Sequence, residues 1–354
     1  MRRRGWHIRG RAAREEIEEV QIEASLGVKM QDIPIISLAR HRGGEMTADE
    51  YKTLAVACED HGFFILKDHG NDELIEHVFR QSADFFAAPK AEKLKIFRDE
   101  ANPLGYFDRE LTKQKRDLKE VFDFKAGGYI SRDPAKQTRW PESRKDFRDA
   151  LTDFFESFTE LSDITMRMVF TALGTPKSAI DQIMADGFGD LHSSTARLNF
   201  YPAEDPVPDE ERRGLNNLGD MALHHHTDPG AITLLLQDDH GGLQANSKTH
   251  GWIDVPPLAG SIVVNIGDVL QVWTNDRCTA GMHRVLPVRS ETGRYSTPFF
   301  YSPKYDAQIT PWVDTGDEAR YRSFSWREFI RGRVTDNFAD YGAEDIQIER
   351  YRVA

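Results

Sequence analysis

Cysteine is nearly absent from this chain of 354 residues: Cys58 and Cys278 are the only two, and no Cys-x-x-Cys pair occurs. That scarcity excludes a disulfide framework and a cysteine-based zinc site, and it fits a reducing cytoplasm. Long apolar runs are missing as well; none approaches the ~18 residues that a membrane span needs. Basic excess is missing too. The 46 Lys and Arg stand against 58 Asp and Glu, for a formal net charge of −12, so there is no basic surplus to favour a nucleic-acid partner. No internal repeat or low-complexity linker interrupts the chain. With 39% hydrophobic and 29% charged residues, the composition is that of a soluble globular protein, able to bury one large core or two modest ones.

Residues 1–29 differ in texture from the rest. Six arginines between Arg2 and Arg14 precede Glu15-Glu-Ile-Glu-Glu19, with no hydrophobic segment to make a secretory signal. The expectation is an N-terminal extension, disordered or not native, with Met30 as an alternative start. Thr47-Ala-Asp-Glu50 is a capping-box pattern that opens a helix closed by Gly62. Phe63 to Leu66 reads as a strand, and the stretch from Asp72 has helical period. Residues 105–124 mix aromatics and charges without clear period, as an irregular pocket wall would. From Ser143, Phe147, Leu151, Phe154, Phe155, Phe158, Leu161, Ile164 and Met168 keep three-to-four spacing until Gly174-Thr-Pro176, a long helix with a core stripe. From about residue 195 short strands with turn signals follow one another: 196–201, 232–236, 241–244, 252–255, 261–265, 269–273, 284–286 and 294–301. Such spacing implies a sandwich or barrel, with helices packed around it.

One stretch within this part carries chemistry. In His224-His-His-Thr-Asp228, residues i and i+2 of an extended chain share a face. His226 alone of the three histidines has a carboxylate two residues on, so it is preferred over His224 and His225. Paired with the distant His283, His226 and Asp228 form a two-histidine, one-carboxylate set, which leaves three positions open on iron(II). Two further i, i+2 pairs accompany it. Arg294 and Ser296 can grip a carboxylate bidentately with an added hydroxyl; Asn199 and Tyr201 put an amide and a phenol on one face. His192, His240 and His250 read as surface or loop histidines, Cys278 and Trp252 as packing residues, and Asp268 as a turn former.

The order Asn199-x-Tyr201, His226-x-Asp228, His283, Arg294-x-Ser296 resembles that of the iron(II)- and 2-oxoglutarate-dependent dioxygenases of the isopenicillin N synthase-like superfamily. Asp32-Ile-Pro-Ile-Ile36, Asp68-His-Gly70, Lys119-Glu-Val-Phe122, Gly241-Gly-Leu-Gln244, Asn265-Ile-Gly-Asp268 and Thr274-Asn-Asp276 extend the likeness, as does the separation of 55 residues between Asp228 and His283. The resemblance implies a mainly β fold, a distorted double-stranded β-helix of the jelly-roll or cupin type with flanking helices. It would form a single domain over 30–354: a mostly helical part (30–190), the β-helix core (195–310), and a C-terminal helix and tail (311–354). It further implies that His226, Asp228 and His283 ligate Fe(II), that Arg294 and Ser296 bind the distal carboxylate of 2-oxoglutarate, and that Tyr201 with Asn199 lies toward its metal-chelating end. O2 would then be consumed, with release of succinate and CO2 and hydroxylation of a small organic molecule. Phe300 is a weaker candidate to face that substrate. Alternatives are a same-fold iron oxidase or cyclase that does not use 2-oxoglutarate, a zinc-dependent cupin-like hydrolase or isomerase, and a non-catalytic metal binder.

Overall fold

Apolar residues fill consecutive positions in Phe63–Lys67, Ile232–Gln237 and Ile262–Ile266 because both faces of these strands are covered. Phe64, Leu66, Leu234, Leu236, Ile262 and Val264 join one core, whereas Phe63, Ile65, Leu235 and Val263 join or pack against a second. This is the two-residue period of a pleated strand, here with apolar partners on each side.

The computed structural model describes residues 33–353 except 113–114, 128–130, 132, 190–191, 220, 288–291, 314–316 and 335–345. The N-terminal stretch 1–29 therefore lies outside the described residues. In chain order the principal strands are β1 (Ile35–Ser37), β2 (Phe63–Lys67), β3 (Gly105–Phe107), β4 (Glu120–Phe124), β5 (Thr195–Tyr201), β6 (Leu223–His226), β7 (Ile232–Gln237), β8 (Leu243–Ser247), β9 (Gly251–Asp254), β10 (Ile262–Ile266), β11 (His283–Val285) and β12 (Arg294–Tyr301). The helices that matter here are α1 (Ala48–Asp60), α2 (Asp72–Phe86), α3 (Lys145–Ala172), α4 (Lys177–Gly187), α5 (Asp268–Trp273) and α6 (Trp326–Val334).

Eight strands form one sheet in the order β1-β2-β10-β7-β12-β5-β4-β3, and four form a second in the order β9-β8-β11-β6. The strands of the smaller sheet are antiparallel throughout. The two sheets are the layers of a double-stranded β-helix. Between them lie Phe63, Ile65, Tyr201 and Val263 from the large sheet and Leu243, Ala245 and Val285 from the small one. The outer face of the large sheet packs on α3, where Phe299 of β12 meets Phe154, Phe155 and Phe158 at ring-centroid distances of 6.2, 5.1 and 6.2 Å. Burying each such ring contributes roughly 1.5–3 kcal/mol, so the phenylalanine stripe holds the long helix to the barrel.

Local signals operate as their chemistry dictates. Thr47 Oγ1 accepts from the Glu50 amide and Glu50 returns the bond to the Thr47 amide at 2.8 Å, which starts α1. Gly62, with φ of +71°, ends it where a Cβ would lie 2.3 Å from the Thr279 carbonyl oxygen.

Two expectations fail. Residues 269–273 form helix α5 rather than a strand. Val269, Leu270, Val272 and Trp273 are all buried, and a short run that is apolar on every side reads alike in either conformation. The two ends of the stretch 105–124 are not an irregular wall: β3 and β4 pair antiparallel and extend the large sheet. Their charges are buried against one another. Arg98 bridges Glu110 and Asp123, Arg197 grips the same two carboxylates, and Lys119 reaches Glu110 and Asp117 at 2.8 and 3.0 Å. His192, expected as a surface or loop histidine, lies before β5 and is buried, stacked against Phe155 and tilted on Tyr301.

Candidate metal centre

His226 is the last residue of β6, and the antiparallel register sets it directly across from His283 of β11. Their rings lie 4.3 Å apart between centroids. Asp228 is not in the strand; it belongs to the turn that follows, which swings its Oδ1 to 3.7 Å from His226 Nε2. One ligand atom from each of the three residues lies within 4.8 Å of the others, as a single shared ion would require.

The surroundings aim these atoms. His226 Nδ1 is 2.9 Å from the His224 carbonyl oxygen, and His283 Nδ1 is 2.8 Å from that of Gly281. Each carbonyl can only accept, so each Nδ1 carries the proton and each Nε2 lone pair faces inward. Asp228 Oδ2 accepts from Thr233 Oγ1 at 2.5 Å and from Asn265 Nδ2 at 2.9 Å, leaving Oδ1 for a cation. Burial would raise the Asp228 carboxyl, but the two imidazoles and these hydrogen bonds outweigh it and hold it below its ordinary value. Burial, reinforced by His283, pushes the His226 imidazole down to about 3. His226 is therefore neutral and Asp228 ionised at neutral pH, the states in which an imidazole and a carboxylate bind a metal.

The other pairs converge deeper in the same barrel. Arg294 pairs across from Tyr201 and Ser296 from Asn199. Arg294 is 1% exposed; its Nε donates to the Gly241 carbonyl at 2.9 Å and its Nη2 to Gln237 Oε1 at 3.3 Å. Its Nη1 is buried with no hydrogen-bond partner among the described residues. An orphaned buried donor costs about 1–3 kcal/mol, and a guanidinium edge held in place this way is a seat for a carboxylate. Asn199 Nδ2 donates to Ser296 Oγ at 3.3 Å, which leaves the serine hydroxyl proton to give. The Tyr201 ring lies 5.2 Å from Arg294 Cζ. Tyr201 and Asn199, expected toward the metal end of a bound 2-oxoglutarate, stand across the strand pair from Arg294 and Ser296. Phe300 pairs across from Thr233, the residue that bonds Asp228, and shares its strand face with Ser296.

The remaining histidines of the triplet separate clearly. His225 packs edge-on against Trp252, and His224 turns to Asp117, 3.8 Å away. A second cluster, Asp238, Asp239 and His240, also brings ligand atoms together. However, Asp238 Oδ2 already accepts from the Tyr295 amide and lies 3.0 Å from His240 Nδ1, and Asp239 is almost wholly exposed. It has no buried cradle. Sequence reasoning missed Thr233, Asn265, Gln237 and Gly241 as orienting groups. Thr233 is the one polar residue among the first five of an apolar strand, a signal that could have found it.

Residues 193–303 match the model of the 2OG-Fe(II) oxygenase superfamily, and residues 33–144 match that of the non-haem dioxygenase in morphine synthesis N-terminal. Homoarginine-6-hydroxylase of Oryza sativa subsp. japonica is 31% identical over 339 residues, covering 88% of this chain and 99% of that one. Gibberellin 2-beta-dioxygenase 1 of Arabidopsis thaliana is 31% identical, covering 83% of this chain and 89% of its own. Among solved structures, a full-length Neurospora crassa protein in complex with alpha-KG superposes with a TM-score of 0.71 at 28% identity, over 86% of this chain and 96% of that one. JOX2, solved with 2OG, Fe and JA, gives a TM-score of 0.71 at 26% identity, over 91% and 89%.

Proposed function

The chain belongs to the 2OG-Fe(II) oxygenase superfamily, an iron(II)- and 2-oxoglutarate-dependent oxidoreductase family, and on that premise we propose the roles of its residues and the reaction it performs. His226, Asp228 and His283 hold the iron on one face. Arg294 and Ser296 seat the distal carboxylate of 2-oxoglutarate, with the Tyr201 ring under the guanidinium and Asn199 fixing Ser296. The reaction is hydroxylation of a small organic molecule.

The observation that carries this reading is the buried Arg294 Nη1, which has no hydrogen-bond partner among the described residues and points to an anionic occupant. The donor set fits the metal equally: two imidazoles and one carboxylate would hold iron(II), as in non-haem iron oxygenases. Iron(II) with 2-oxoglutarate and O2 supplies the oxidising power, the cosubstrate leaving as succinate and CO2. The protein's own part is positional. Thr233 and Asn265 keep one Asp228 oxygen occupied so that the other faces the ion, and the His224 and Gly281 carbonyls hold both imidazoles in the ligating tautomer. Phe300, on the strand face toward Thr233, closes the substrate side with an apolar ring that excludes water.

The named relatives act on or are bound to unlike compounds: homoarginine, gibberellin and, in a second Neurospora crassa structure, thymine. We therefore place the substrate among small organic molecules without narrowing it by kinship. No helix among the described residues is long and apolar enough to cross a membrane, and the free, buried Cys58 and Cys278 suit a reducing compartment such as the cytoplasm. A substrate panel scored by succinate release tests the reading. Succinate formation that Asp228→Ala abolishes supports it; oxygen uptake with no loss of 2-oxoglutarate would assign Arg294 and Ser296 to a substrate carboxylate instead.

A further inference from the structure

The peptide between His226 and Asp228 is gripped from behind by the last helix. Arg333 of α6 donates from Nη2 to the Thr227 carbonyl at 2.8 Å, and the same nitrogen lies 3.7 Å from Asp268 Oδ2. Both side chains are buried, 8% and 2% exposed. The start of α5 holds the rest of the turn through its backbone: the Gly267, Asp268 and Val269 amides donate to the carbonyls of Ala231, Asp228 and Gly230 at 2.8, 2.8 and 3.0 Å. Those bonds secure residues 228–231. Thr227, the one residue between His226 and Asp228, is held at its carbonyl by Arg333 and is also hydrogen-bonded by the Asp268 side chain.

We propose that Arg333 is a positioning residue for the metal, setting the angle at which the Asp228 carboxylate meets the two imidazoles; the proposal rests on the ligand assignment above. The Thr227 peptide plane couples the backbone angles on either side of it, so releasing its carbonyl lets Asp228 rotate against His226. Metal–oxygen distances tolerate only about ±0.2 Å, so a small rotation removes a ligand. The alternative is that Arg333 merely docks α6. That helix is already docked by Trp326 and Phe329, which pack with Phe324 and Tyr351 in a buried aromatic cluster. Burying a guanidinium to add nothing but docking would be costly, since desolvating it takes several kcal/mol.

The test uses the full-length apoprotein and its Arg333→Met and Arg333→Lys variants, titrated with Mn(II) and followed by the paramagnetic resonance of the free ion. Arg333→Met keeps the aliphatic stem and should bind Mn(II) about 10–100-fold more weakly, the range seen when groups that orient ligands are lost. Arg333→Lys should fall between, because an ammonium reaches the Thr227 carbonyl without the guanidinium's fixed plane. The thermal midpoint of the apoprotein should stay within a few degrees of wild type. Mn(II) affinity within twofold of wild type in Arg333→Met overturns the proposal. So does a loss of affinity that only tracks a fall in apoprotein stability. Should Arg333→Met fail to fold, the Arg333→Lys titration decides by the same criteria. His226→Ala is the control: if it binds Mn(II) as wild type does, the ligand assignment fails and this proposal with it, whereas an unchanged Arg333→Met beside a defective His226→Ala fails this proposal alone.

Discussion

At the scale of single residues, the centre is built from groups that restrict one another's freedom. Asp228 could offer either oxygen, but Thr233 and Asn265 both bond Oδ2. Asn265→Ala should therefore weaken Fe(II) or Mn(II) binding about tenfold, measurable by metal titration. Thr233→Val combined with it should cost less than the sum, because both act through one carboxylate. Arg294 is restrained by Gly241 and Gln237 while its Nη1 waits for a partner. Arg294→Gln should raise the KM for 2-oxoglutarate by about tenfold or more while kcat changes less, the pattern of lost ground-state binding. A fall in kcat with unchanged KM would place the residue elsewhere in the reaction.

At the scale of elements, the barrel depends on strands sandwiched between a second sheet and the α3 stripe. Phe158 touches Phe154 at 4.1 Å and Phe299 at 6.2 Å and is fully buried. Phe158→Ala should destabilise the protein by about 3–5 kcal/mol in urea unfolding with an unchanged m value. The α3 stripe was legible in the sequence because a helix with one apolar side has an unmistakable period. The strands β5, β7 and β12 were legible as short stretches between turn signals, β7 as an apolar run and the other two with alternating polar residues. Helix α5 was not, since all-round burial erases the period that separates helix from strand. Strands β3 and β4 were hidden because Glu110, Lys119 and Asp123 look like surface charges until their partners Arg98 and Arg197 are brought against them.

At the scale of the whole molecule, buried histidines couple stability to pH. Desolvation pushes His61 and His192 down to about 4 each, against an ordinary value of 6.5. A lowered histidine contributes stability that is fully present above the unfolded value and is lost as pH falls toward the folded one. The urea midpoint should thus drop as pH falls from 7 to 5, reflecting a loss of up to about 2 kcal/mol of stability for each histidine by pH 5. His192→Phe, which keeps a ring against Phe155 and Tyr301, should make that slope shallower. An equal slope in the variant would show that other groups govern the acid limb.

What the sequence singled out by itself was the trio His226, Asp228 and His283, which the structure brings within reach of one another. An i, i+2 pair is a local property that any extended backbone displays, and His226 was singled out from its neighbours by the carboxylate at that offset alone. The tertiary structure decided everything that depends on distant partners: which Asp228 oxygen stays open, where Tyr201 stands relative to Arg294, and that Arg333, 106 residues beyond Thr227, holds the turn between the ligands. Spacing cannot carry such information, because these contacts are set by how sheets and helices pack rather than by the period of any one element.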